Sequence, residues 1–274
     1  MLEAAGYRVT VPRAALCCGR PLYDWGMLDT AKRLLRRILD TLRDEIRAGV
    51  PLVGLEPSCV SVFRDELVEL FPDDEDARRL SAQTFLLAEL LERTPGYEPP
   101  KLTCSALVQG HCHHKSVLGG MGAEERLLRR MGVAASVPDS GCCGMAGAFG
   151  FERAHYAVSI ACGERVLLPA VRAATPETAI LADGFSCAEQ IAQTTPRRAI
   201  HLAQLLRLAH RAEAGEALLP AGTPLEAACG ALDELPVPSW RERGLARLAL
   251  AGTVASGLIA LGAIAWRARR ARRR

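Results

Sequence analysis

The chain has 274 residues, 49% of them hydrophobic and 5% aromatic, enough apolar content to fill one large or two modest cores. Its formal net charge is +3, but six arginines fall within residues 267–274, which leaves the remainder at −3. A mildly acidic body without a basic, aromatic-laced surface excludes nucleic acid as the expected partner.

Short apolar runs alternate with amphipathic stretches along the chain. Residues 7–12 read as a strand leading into Cys17-Cys18-Gly19. Leu28, Ala31, Leu34, Leu35, Ile38, Leu42 and Ile46 recur at helical spacing and predict a helix with one apolar face. Residues 51–55 read as a short buried strand with Cys59 just after it, and helices are expected over 60–70 and 77–92. Pro95, Gly96, Pro99 and Pro100 mark residues 94–101 as a linker. The pattern then restarts. A strand at 106–109 delivers Cys112, and another at 133–137 delivers Cys142 and Cys143. A helix is expected over 155–173, a strand at 178–182 delivers Cys187, and helices continue to about residue 210. The reading is an α/β fold of two tandem modules, 1–93 and 102–212, with parallel sheets and flanking helices. A second linker at 213–244, a hydrophobic helix at 245–266 and an Arg-rich tail at 267–274 complete it.

The cysteines repeat. The triplets Cys17-Cys18-Gly19 and Cys142-Cys143-Gly144 lie 125 positions apart, and the trailing Cys59 and Cys187 lie 128 apart. Adjacent thiols bridge each other poorly, but they can share one soft metal centre. The start, Met1-Leu2-Glu3-Ala4-Ala5, has neither the basic region nor the apolar run of an export signal. Ten cysteines in that setting favour metal or redox work in a reducing compartment over a disulfide framework. Every repeated cysteine follows the carboxyl end of an expected strand, the edge at which open α/β sheets bind ligands. Cys112, Cys142, Cys143 and Cys187 are therefore expected to converge. Carried back by 125 residues, Cys112 finds its counterpart about thirteen residues before Met1, so the first module is expected to begin incomplete. The residues alone leave three readings open: an iron–sulfur cluster, a four-cysteine zinc site, and buried structural thiols.

Four phrases carry a family resemblance over roughly residues 1–210: Glu56-Pro57-Ser58-Cys59, His111-Cys112-His113-His114-Lys115, Cys142-Cys143-Gly144-Met145-Ala146-Gly147 and Asp183-Gly184-Phe185-Ser186-Cys187. The chain resembles the paired cysteine-rich CCG domains of heterodisulfide reductase and of the iron–sulfur part of FAD-linked 2-hydroxy-acid dehydrogenases. It looks most like the latter, a group that includes the glycolate oxidase iron–sulfur subunit and D-lactate or D-2-hydroxyglutarate dehydrogenase-like proteins. The resemblance implies [4Fe–4S] clusters that relay electrons. It implies Cys112, Cys142, Cys143 and Cys187 as ligands in the second module, with Cys17, Cys18 and Cys59 in the first, which needs a fourth ligand from elsewhere. It further implies FAD on a flavoprotein dehydrogenase partner or on a region preceding Met1, with a quinone or other carrier as acceptor. Alone, such a chain is expected to relay electrons without catalysing substrate oxidation.

The sequence also departs from the pattern. Heterodisulfide reductase-like modules end in Cys-x-x-Cys, whereas none of positions 56, 62, 184 and 190 is Cys. This favours a four-ligand cluster over a five-thiolate one, and leaves disulfide reduction at a cluster as the alternative; a zinc-stabilised interaction module is the non-catalytic one. Gly144, Gly147 and Gly150 read as close backbone packing, since no phosphate-binding context surrounds them. His113 and His114 flank Cys112 and read as donors that orient the ligands or tune a cluster. Glu56 and Asp183 read as caps for the helices that follow them. Cys104, Cys162 and Cys229 read as packing residues, and His155, His201 and His210 as ordinary helix histidines. Residues 248–266 carry no charge and would span roughly 28 Å as a helix, with Trp266 and the arginines as interfacial anchors. That predicts a cytoplasmic protein attached to the inner face of the cell membrane, although arginines after a single span favour the opposite orientation of the modules.

Overall fold

The structure is a computed structural model that describes residues 1–217 and 222–229; the hydrophobic segment expected at 245–266 and the Arg-rich tail lie outside the described residues. The first half runs α1 (Arg20–Asp24), α2 (Leu28–Thr41), α3 (Arg43–Arg47), β1 (Leu52–Gly54), α4 (Pro57–Arg64), α5 (Glu66–Leu70), α6 (Glu75–Ala82), β2 (Thr84–Leu86) and α7 (Leu87–Arg93). The second half runs β3 (Ser105–Val108), α8 (Cys112–Ser116), α9 (Gly122–Met131), β4 (Ala134–Ser136), α10 (Tyr156–Glu164), α11 (Leu167–Ala173), β5 (Thr178–Leu181), α12 (Phe185–Thr194) and α13 (Leu202–Glu213). The result is mixed α/β with two small parallel sheets: β1 pairs with β2, and β3 lies between β4 and β5.

Periodicity explains the helices. In α2, Ala31, Leu35, Ile38 and Leu39 are buried, one stripe of a 3.6-residue repeat, while Leu28 at its start is exposed. Caps fix several starts: Asp74 accepts from the Asp76 and Ala77 amides to open α6, and Glu56 accepts from the Ser58 amide to open α4.

The helix expected along Leu28 to Ile46 divides at Leu42 into α2 and α3, the one expected over 60–70 divides at Asp65 into α4 and α5, and three further elements differ from the sequence reading. Residues 7–12 form no strand and pair with none among the described residues, and Val11 is 82% exposed. The helix expected over 77–92 is interrupted by β2, whose Thr84, Phe85 and Leu86 sit opposite Leu52, Val53 and Gly54. The leucines at 86, 87, 90 and 91 carry helical spacing through that strand and conceal it. The helix expected over 155–173 divides into α10 and α11. Pro169 explains the break: its ring would clash with the Arg165 carbonyl in a continuous helix, but is tolerated in the first turn of α11.

Residues 1–229 pack as one unit. Its largest core crosses the proline-rich segment at 94–101: Leu87, Leu91 and Tyr97 join Val108, Leu127, Met131 and Leu205 in one apolar cluster. Among the described residues, no helix is long and apolar enough to cross a membrane.

Candidate metal centre

Three segments deliver four thiols to the carboxyl edge of the second sheet. Cys112 opens α8 just beyond β3, Cys142 and Cys143 follow β4, and Cys187 lies in the first turn of α12 beyond β5. The sulfurs interact in series: Cys112 with Cys142, Cys142 with Cys143, and Cys143 with Cys187. Cys142 is the member that most favours the thiolate. Interaction with the Cys112 and Cys143 thiols pulls its pKa far down, helped by the Gly144 amide, which donates to its sulfur at 3.3 Å. The same contacts, with burial, push Cys112 and Cys143 up. Cys143 and Cys187 are buried, and Cys112 and Cys142 are half-buried. A group of four neighbouring sulfur donors suits a soft cation that displaces their protons.

The backbone around this group is tightly specified. Gly144 has φ +96°, and a Cβ there would stand 2.0 Å from the Ser159 carbonyl oxygen, so the glycine of this triplet is sterically required. A Cβ at Gly150 would meet Met145 Cα at 2.9 Å, but one at Gly147 would meet nothing within 4 Å. Close packing thus accounts for two of the three glycines. The buried Gln190 amide donates to the Cys143 carbonyl (3.1 Å), the Ser159 carbonyl (3.1 Å) and Ser159 Oγ (3.2 Å), tying α12 and α10 to the cysteine loop.

The first half assembles a smaller group. Cys18 Sγ and Cys59 Sγ are 2.9 Å apart, and Cys17 is exposed. Cys18 is pulled down to about 7, chiefly by its contact with Cys59; burial opposes the shift, and the Arg20 amide and guanidinium assist it. Arg20 is buried, with Glu66 at 2.5 Å, Ser61 Oγ at 2.9 Å and Asp24 at 3.2 Å.

A family model described as CCG, a cysteine-rich domain, matches residues 1–64. Residues 1–64 are thus similar to a CCG cysteine-rich domain. Relatives of the chain include lactate utilization protein A of Bacillus subtilis (strain 168), 29% identical over 164 residues, which are 57% of this chain and 67% of that protein. An anaerobic glycerol-3-phosphate dehydrogenase subunit of Escherichia coli (strain K12) is 27% identical over 75% of this chain and 52% of its own length. D-2-hydroxyglutarate dehydrogenase of Pseudomonas putida is 28% identical over 70% of this chain and 19% of its own. The match therefore takes in two thirds, half and a fifth of these proteins. Together these matches show the resemblance to a cysteine-rich CCG domain and to proteins of lactate, glycerol-3-phosphate and D-2-hydroxyglutarate metabolism.

The histidines around Cys112 differ in what they do. His111 is buried, accepts the His113 amide at Nδ1 (3.2 Å) to cap α8, and stacks on His113 with ring centroids 5.3 Å apart. His113 Nδ1 lies 3.9 Å from Cys112 Sγ, and the donor atoms of His111, Cys112 and His113 all fall within 4.8 Å of one another. Burial, the larger cause, and then the nearby Arg20 charge hold His113 below its usual range. His114 meets a different partner: its Nδ1 is 3.8 Å from Glu124 of α9, and burial pushes it down to about 4.

Glu56 caps its own helix as expected, but Asp183 accepts from the Leu202 amide (2.8 Å) at the start of α13 instead of capping α12. His201 is not a helix-face residue. It is the N-cap of α13, with Nε2 2.8 Å from the Leu55 carbonyl oxygen. Cys104 is pushed up to about 11 by burial, while Cys162 and Cys229 are half-buried, Cys162 lying against Gly144 of the cysteine loop. Sequence reasoning missed Arg20 and Gln190; a glutamine one turn after Cys187, on the same face as buried Ile191, was the available signal.

Proposed function

We propose that this protein is an electron-transfer component of a flavin-linked oxidoreductase. The observation that carries the reading is the run of sulfur contacts from Cys112 through Cys142 and Cys143 to Cys187. Four soft donors fit a [4Fe–4S] cluster, which when bound supplies reversible one-electron storage. In this reading the four cysteines release their protons and hold the cluster. The Gly144 amide, already aimed at the Cys142 sulfur, stabilises negative charge on that ligand. His113 stands beside Cys112 as a further donor. The names of the relatives, lactate utilization, glycerol-3-phosphate dehydrogenase and D-2-hydroxyglutarate dehydrogenase, support oxidation of a hydroxylated small molecule as the electron source. Removing hydride from such a substrate needs an organic acceptor, which we assign to FAD on a flavoprotein partner, with a quinone or another carrier downstream. The partly assembled Cys17, Cys18 and Cys59 group is the place for a second cluster, completed by a ligand from outside these three. Attachment to a membrane through residues 245–266 belongs to the same proposal.

Zinc is the direct competitor, because an all-sulfur tetrahedral set also fits Zn²⁺. Iron and labile-sulfide analysis with EPR on anaerobically purified protein decides between them. Iron with matching sulfide and a cluster signal is expected; stoichiometric zinc without sulfide would sink the electron-transfer reading. Cluster reduction by a disulfide's dithiol product, without any flavoprotein, would favour the heterodisulfide reductase-like alternative.

A further inference from the structure

The geometry assigns Glu56 to positioning both thiol groups at once, its two carboxylate oxygens ordering the cysteine-bearing first turns of α4 and α12. Oε1 accepts from the Ser58 amide (3.1 Å) and Ser58 Oγ (2.8 Å), immediately before Cys59. Oε2 accepts from the Phe185 amide at 2.6 Å, two residues before Cys187 and 129 positions along the chain.

The second contact answers a local deficiency. The N-cap of α12 is Gly184, which has no side chain with which to cap its helix. No other residue fits there, because a Cβ at 184 would stand 2.2 Å from His111 Cδ2. With a histidine ring occupying the space of a cap, the first turn of α12 takes its acceptor from the other half of the molecule. The same carboxylate lies 3.9 Å from His111 Nε2, next to Cys112. The preceding carbonyl, that of Leu55, is bound by His201 Nε2 at 2.8 Å, which fixes the peptide from which Glu56 projects. Both oxygens are engaged with amide donors, so Glu56 orients the thiols of both halves and is not the missing ligand of the first group. A disturbance at one thiol group is thereby transmitted to the other through a single side chain.

The functional meaning rests on the electron-transfer reading, but the test does not. Full-length, metal-free, reduced protein is pulse-labelled with iodoacetamide, and the rate at each thiol is read by mass spectrometry, since buried thiols label through local opening. Glu56→Ala is expected to accelerate labelling of both Cys59 and Cys187 severalfold, with Cys104 and Cys229 unchanged. Glu56→Gln retains one acceptor oxygen and is expected to accelerate one of the two thiols only. Asp74→Ala, which removes the cap of α6, is expected to leave Cys187 at its original rate. Acceleration of Cys59 alone in Glu56→Ala would overturn the inference. If that variant opens every thiol by unfolding, Glu56→Gln decides: original rates at both cysteines would overturn it. Absence of iron and sulfide from the anaerobic wild-type protein would instead defeat the electron-transfer reading and leave the labelling result standing.

Discussion

Gly144 and Gln190 show how little freedom surrounds the second thiol group. A methyl group at 144 collides with the Ser159 carbonyl in a left-handed backbone, so Gly144→Ala must displace the loop that carries Cys142 and Cys143. We expect Gly144→Ala to lose most of the bound metal, measured as iron per chain after anaerobic purification. Gln190→Leu removes the donor to two buried carbonyls and a hydroxyl, at a cost of about 1–3 kcal/mol for each acceptor left unsatisfied. Its denaturation midpoint should fall clearly below that of the parent; an unchanged midpoint would show that the amide is dispensable. Changing any of Cys112, Cys142, Cys143 or Cys187 to Ser should abolish most visible cluster absorbance, whereas Cys162→Ser and Cys229→Ser should leave it nearly intact. Cys104 offers a pH signature. Its folded pKa is raised to about 11 against an ordinary thiol value of 9.0, so the neutral thiol is favoured by folding. That contribution is complete below pH 9 and is lost as pH rises through 11, on the order of 1–2 kcal/mol. Cys104→Val should flatten the corresponding fall in stability across that window, measured by denaturant titration at several pH values.

Elements were legible where one physical signal dominated. The stripe of Ala31, Leu35 and Ile38 announces α2, and each repeated cysteine beyond Cys18 follows the end of β1, β3, β4 or β5. β2 was hidden because leucine spacing continues through it, and a three-residue strand has no period of its own to display. Residues 7–12 carry the alternation of a strand but find no ladder to join, which periodicity does not report. The contacts of Glu56 and Gln190 were illegible for a different reason: they connect positions 129 and 47 residues apart through single hydrogen bonds. At this scale α9 is the test case, because it returns the chain from Cys112 to β4. Leu128 on its inner face is fully buried and Arg129 beside it is exposed. Leu128→Ala should cost about 2–5 kcal/mol, whereas Arg129→Ala should stay within about 0.5 kcal/mol, both read from chemical denaturation.

For the molecule as a whole, the electron-transfer reading makes a prediction about company. Purified alone, the chain should show no 2-hydroxy-acid dehydrogenase activity; with a flavoprotein and substrate under anaerobic conditions, its cluster should be reduced. Substrate-dependent turnover by the flavin-free chain would refute that division of labour. Total iron should approach about four per chain if only the second group is fully furnished with ligands, and about eight if the first is completed as well.

The apolar cluster that crosses residues 94–101 bears on how such a protein tolerates change. Leu87, Leu91 and Tyr97 of one half share their interior with Val108, Leu127 and Met131 of the other. With an interior shared in this way, neither half could be deleted or exchanged without exposing the other's oily side to water. Substitutions on one side of the junction are then tolerated only alongside those on the other. The halves that carry the two thiol groups therefore stand on one shared interior.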